Sequence, residues 1–219
     1  MKFAQHLITQ LSEKNLLKHE FYQKWNEGSI PVETLQLYAR QYYHHVSAFP
    51  RYLSATHSHC EDIEKRQILL ENLRDEEEGP DHHPELWLRF AQALGVSQEQ
   101  VKSEELLPET RELIDTFMQS SRKSFASGLG ALFAYEHQVP EIATFKIEAL
   151  KKHYAMKDGP GTSFFEVHRK ADVYHTEALS QLLESLTPEE KAEVQNSAQI
   201  ASHQLWKFLD GIYRTMCSN

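Results

Sequence analysis

Apolar residues recur at spacings of three and four along almost the whole chain, and no segment sustains the two-residue alternation of a half-buried strand. A chain written this way can bury its apolar surface only by packing helix on helix, so the pattern predicts an all-α helical bundle. Eight Gly and eight Pro are all that punctuate its 219 residues. The expected helices are 2–12, 15–27, 31–57, 61–78, 84–94, 109–122, 124–153, 163–186 and 188–215. Capping boxes mark two starts, Ser97 with Gln100 and Thr187 with Glu190, the second strengthened by Pro188 at a first helical position. A third start is read from Gly28 and Ser29, which break the chain, and from Pro31, which suits a first helical position. The clearest loop is MKDGPGTS at 156–163, followed by the region of Pro108. Neither is long enough to separate domains, so residues 1–219 are read as one.

Charge and segment lengths narrow the function. A net charge of -9, with no dense basic run, argues against a nucleic-acid partner. The opening MKFAQHLITQLSEK lacks the apolar centre of a signal peptide, and the longest apolar run, GLGALFAY at 128–135, is far short of a membrane span. Cys60 and Cys217 show no motif spacing, so no disulfide framework is expected and a reducing cytoplasm is the default location.

The chemistry is concentrated in HRKADVYH, 168–175. His168, Asp172 and His175 stand at i, i+4 and i+7, and so share one helix face. Phe164, Ala171, Leu179, Leu182 and Leu186 fall on that side too, which turns the three polar groups inward. A buried carboxylate needs a metal, a cation or hydrogen-bond donors, or else it takes up a proton. Two further acids pass the same test: Glu136 follows Leu129, Leu132 and Phe133, and Glu76 follows Leu69 and Leu73. Beyond Glu76, Gly79 and Pro80 should end the helix and leave His82 and His83 on a turn, from which either could swing back. Pro140 should kink the 124–153 helix one turn past Glu136.

Each of these features has a plainer reading. An HxxxDxxH pattern arises by chance about 0.1 times in a chain this rich in histidines and acids. The DEEE run, His44, His45, His57 and His59 read as ordinary surface or interface groups. Inward acids on three helices nevertheless match the way bundles build dinuclear sites. Carboxylate and imidazole without thiolate suit iron or manganese, and three of each would hold two ions with positions open for oxygen. Lys146 also breaks its local rule, lying between Val139, Ala143 and Leu150 on an apolar stripe. It either snorkels to a helix end or is buried with a lowered pKa, which would make a neutral amine available.

The chain resembles the CADD family, named for a chlamydial protein associating with death domains, among the haem-oxygenase-like dimetal oxidases near the PqqC and TenA folds. FYQKW at 21–25, LYARQYYHHVSAFPRYLSATHSHC at 37–60, NLRDEEEG with HHPELW, ALFAYEHQVPEIATFKI and HRKADVYH carry the resemblance over nearly the full length. It implies Glu76, His83, Glu136, His168, Asp172 and His175 as ligands, with the spacing from Glu76 selecting His83 over His82. The cofactors it implies are two metal ions, iron with manganese or two irons, together with dioxygen and a reductant. It further implies synthesis of para-aminobenzoate for folate from the protein's own Tyr22, with Tyr38 and Tyr135 as site tyrosines and Lys146 as amino donor. Such a protein would act once, without an external organic substrate. A homodimer is expected for the fold, and death-domain partners are suggested by the family's name. Two rival readings are a multiple-turnover dimetal oxygenase acting on an external amine, amino acid or fatty acid, and a non-enzymatic interaction protein. A metal-free TenA-like hydrolase would need a nucleophilic cysteine, which the contexts of Cys60 and Cys217 do not provide.

Overall fold

The computed structural model describes residues 2–217, so Met1, Ser218 and Asn219 of the expected 1–219 unit lie outside the described residues. Eleven α-helices and two short 3-10 turns account for the regular structure of those residues, with no strand among them. The long helices follow the apolar pattern: α3 Val32–Ser58, α4 Ile63–Glu77, α7 Pro108–Lys123, α10 Ser163–Glu184 and α11 Pro188–Cys217. α5 spans His83–Ala93. No helix among the described residues is long and apolar enough to cross a membrane.

Local chemistry corrects several expected boundaries. The segment expected as one helix over 15–27 is a 3-10 turn, Leu16–Lys18, followed by α2, Glu20–Asn26, because His19 is extended and its ring accepts the Phe21 N–H. It is preceded by α1, Phe3–Leu11, and by the other 3-10 turn, Ser12–Lys14. Pro31 is the N-cap of α3, extended at ψ 146°, and not its first helical residue. Both capping boxes form; that of Ser97 and Gln100 opens α6, Gln98–Lys102, a short helix absent from the expected ranges. The helix expected over 124–153 is two helices, α8 Phe125–Glu136 and α9 Val139–His153. His137 Nδ1 and Gln138 Nε2 satisfy the carbonyls of Phe133 and Ala134, while Pro140 contributes no N–H. The chain therefore breaks directly after Glu136 instead of kinking a turn later.

These helices surround one continuous core that includes Trp25, Trp87, Phe90, Leu132, Phe133 and Phe208, all at most 1% exposed. Each such aliphatic or phenyl side chain contributes about 2–3 kcal/mol by leaving water. The Trp87 indole N–H also donates to the Ala39 carbonyl at 2.7 Å. α8 lies at the centre, against α3, α7, α10 and α11. Gly130 makes this possible, because a Cβ there would stand 2.5 Å from the Val194 carbonyl oxygen on α11. With α8 fixed, α4 and α5 pack on α3, and α10 closes over α4, α5, α8 and α9.

Candidate metal centre

Glu76 lies in the last turn of α4, where the chain turns sharply through Gly79 at φ +82°. His82 caps α5 by accepting the Glu85 N–H, so His83 becomes the first residue of that helix and faces back. The two neighbouring histidines are thereby separated: His82 caps, while His83 Nδ1 reaches Glu76 Oε2 at 2.8 Å. Glu136 ends α8, and the helical spacing on α10 presents His168, Asp172 and His175 on one face. All six side chains are buried, at 2–5% exposure.

Glu76, His83 and His168 each bring one ligand atom within 4.8 Å of the others, a group that does not include Glu136, Asp172 or His175. The His83 and His168 rings are 4.2 Å apart. His168 Nδ1 bonds the Phe164 carbonyl at 2.7 Å, which leaves Nε2 free to face the cluster. Asp172 Oδ1 stands 3.4 Å from His175 Nδ1, and the Asn72 amide donates to both Glu136 oxygens at 3.0 and 3.2 Å.

The cluster's electrostatics favour a cation. Desolvation pushes Glu136 up to about 8 and Asp172 up to about 6, with their acidic neighbours adding to the rise. Burial pulls His175 down, but its bond to Asp172 and the charges of Glu136 and Asp172 outweigh it and hold the ring at about 9. Burial likewise opposes protonation of His83, and Glu76 overcomes it. His168 is driven well below its ordinary value, by burial first and by His83 next. No lysine or arginine among the described residues pairs with any of the three carboxylates, and Asp172 Oδ2 has no hydrogen-bond partner. Three acids and three imidazoles with an orphaned buried oxygen are a donor set that fits divalent ions of the iron and manganese type.

Beside this cluster lies a wall of phenols. Tyr22 and Tyr38 share a hydrogen bond at 3.1 Å, and Lys146 Nζ donates to Tyr38 Oη at 2.7 Å. Lys146 is 3% exposed, so it does not snorkel. Its ammonium is ringed by Tyr22, Trp25, Tyr38, Tyr42, Trp87 and Phe165 at 5.0–5.9 Å, and desolvation lowers its pKa to about 7. Tyr42 stacks on Tyr38 with centroids 5.3 Å apart and planes 16° apart, and it borders the same cavity as Tyr135. That small cavity, of about 20 Å³, is bounded by Tyr22, Tyr42, Tyr135, Lys146 and His168, among others. That is room for one water-sized molecule. Neither cysteine reaches it. The larger open cleft near Arg89 and Lys157, about 610 Å³, contains none of these residues.

Two members of the site were missed in the sequence, Tyr42 and Asn72. Each stands four residues from a recognised one, Tyr38 and Glu76, and so on the same helix face. His45 also departs from its surface reading. It is fully buried among Tyr42, Phe49, Tyr52, Phe117 and Tyr135, with neither ring nitrogen bonded, and desolvation lowers it to about 3.

Fold and cluster define a heme-oxygenase-like helical protein with a buried carboxylate–imidazole cluster, three of whose members, Glu76, His83 and His168, are placed so that they could hold a metal ion. A domain from Shewanella denitrificans described as having a heme oxygenase-like fold superposes with a TM-score of 0.79 at 17% identity, covering 96% of this chain and 90% of that one. The chain belongs to the TENA/THI-4/PQQC family, whose model matches residues 8–215. It is similar to the 4-aminobenzoate synthase of Nitrosomonas europaea, at 42% identity over 99% of this chain and 93% of that protein. The 4-aminobenzoate synthase of Chlamydia trachomatis is 38% identical over 100% of this chain and 96% of its own length.

Proposed function

We propose that this protein is an oxygen-dependent enzyme that makes para-aminobenzoate from its own Tyr22, with Lys146 as nitrogen donor. The observation that carries the reading is the cavity: about 20 Å³, walled by Tyr22 and Lys146 themselves. Pockets for organic ligands run to several hundred Å³, so an external amine, amino acid or fatty acid has no seat there, whereas a phenol is already in place. The names of the relatives from Nitrosomonas and Chlamydia support the product.

Glu76, His83, Glu136, His168, Asp172 and His175 would hold two ions, iron with manganese or two irons. Such ions, when bound, supply dioxygen activation and an acceptor for electrons taken from a phenol. The protein's own residues do the rest. Tyr135 and Tyr42 border one cavity, the stacked rings of Tyr42 and Tyr38 continue the series, and Tyr38 shares a hydrogen bond with Tyr22. An oxidising equivalent can therefore pass by short steps to Tyr22. Lys146, lowered to about 7, is partly a neutral amine near neutral pH, with a lone pair free to attack an oxidised ring. The aromatic wall excludes bulk water, which would quench a radical. Within this reading the reaction spends the chain, in the cytoplasm, as a homodimer.

The test is intact mass and peptide mapping of the iron- and manganese-loaded protein before and after oxygen and reductant. A side-chain loss confined to Tyr22 is expected. An unchanged mass, with both metals bound and oxygen consumed, would overturn the reading in favour of an external substrate.

A further inference from the structure

The acidic run at 75–78 is not uniformly a solvated face. Asp75, although 58% exposed, sets its Oδ2 3.0 Å from Nε2 of His175, whose other nitrogen, Nδ1, faces Asp172 Oδ1. Seven residues earlier on α10, His168 shows the reverse arrangement: its Nδ1 is taken by the Phe164 carbonyl and Nε2 is left facing inward. Three residues before Asp75, Asn72 grips Glu136. One turn of α4 thus supplies Glu76 and holds a side chain from each of two other helices.

We infer that Asp75 is a positioning residue for His175. It accepts the Nε2–H, fixes that tautomer, and presents the Nδ1 lone pair to the interior, so that His175 donates through Nδ1 where His168 donates through Nε2. A carboxylate behind a ligating imidazole both orients the ring and strengthens it as a donor. This inference rests on the metal-binding reading above and adds which nitrogen each of these histidines offers. Mere joining of α4 to α10 is a separate role, and it has its own bond: Tyr174 Oη donates to Glu71 Oε2 at 3.1 Å on the same pair of helices.

The test is an anaerobic titration of the metal-free full chain with Co(II) alone against a competing chelator, following the visible ligand-field spectrum. Wild type, Asp75→Ala, Asp75→Asn, Tyr174→Phe and His175→Ala are compared. Asp75→Ala should weaken one cobalt by about 10–100-fold and change its spectrum. Asp75→Asn keeps an acceptor oxygen for Nε2–H and should restore most of the affinity, while Tyr174→Phe should leave affinity and spectrum as in wild type. If His175→Ala loses a cobalt but Asp75→Ala binds like wild type, the positioning role is refuted and the metal reading stands. Should His175→Ala bind cobalt as wild type does, the metal reading fails and this inference fails with it.

Discussion

Replacing Lys146 by Met should stabilise the metal-free protein, by an amount that depends on pH in a defined way. Desolvation lowers the lysine from 10.5 to about 7, so holding the charged form inside the fold costs about 5 kcal/mol at 1.36 kcal/mol per pH unit. The six ring faces around Nζ return part of this, which makes about 5 kcal/mol a ceiling. Below pH 7 both folded and unfolded chains carry the proton, and the full cost applies. Between pH 7 and 10.5 the unfolded chain holds the proton that the folded one has released, so wild-type stability rises with pH by about 1.4 kcal/mol per unit. Methionine has no such dependence, and it forgoes the bond to Tyr38, worth about 1 kcal/mol. The variant should therefore lead wild type by about 2–4 kcal/mol at pH 6.5, and its lead should shrink by about 2–3 kcal/mol between pH 7.5 and 9.5. Urea unfolding of both proteins across that range measures the difference, in which titrations common to both cancel. A difference that stays constant from pH 6.5 to 9.5 would show that Lys146 keeps its ordinary pKa and is not desolvated as its cage implies.

Metal uptake must expel protons from Glu136, Asp172 and His175, held at about 8, 6 and 9, so apparent Mn(II) affinity should rise steeply from pH 6 to 9. A flat titration series over that range would contradict the raised values. Gly130→Ala should cost about 2–3 kcal/mol in urea unfolding, because the new methyl meets the Val194 carbonyl oxygen and Ser197 and forces α8 from α11. His82→Ala should lose about 1 kcal/mol as a missing cap of α5 while the metal content of the loaded protein is unchanged, whereas His83→Ala should lower that content.

Helix periodicity makes the inward face of HRKADVYH legible from sequence, because i, i+4 and i+7 fall together at 3.6 residues per turn whatever packs against them. The inward acids Glu76 and Glu136 are legible for the same reason. The break after Glu136 is not, since it depends on His137 and Gln138 folding back onto particular carbonyls. Hydropathy also misplaces His45: an imidazole counts as polar, yet five aromatic walls hold it neutral and buried. YARQYYHH contains three tyrosines but cannot say that Tyr42 is the one that stacks on Tyr38 and borders the cavity with Tyr135, because Tyr135 arrives from another helix. Cavity volume is least legible of all, being the residue of packing among α2, α3, α8, α9 and α10.

The end of α8 is the negative pole of a helix macrodipole, equivalent to about half an electron charge. It is capped only by neutral donors, His137, Gln138 and Thr176, which satisfy its carbonyls without cancelling that charge. Glu136 adds its carboxyl at the same point, held at about 8 and so still carrying its proton near neutral pH. The negative pole and this proton-holding acid thus meet where α8 and α9 part. An ion there would pin the pole to α4, α5 and α10 at once, so this seam should be where amide exchange slows most on loading.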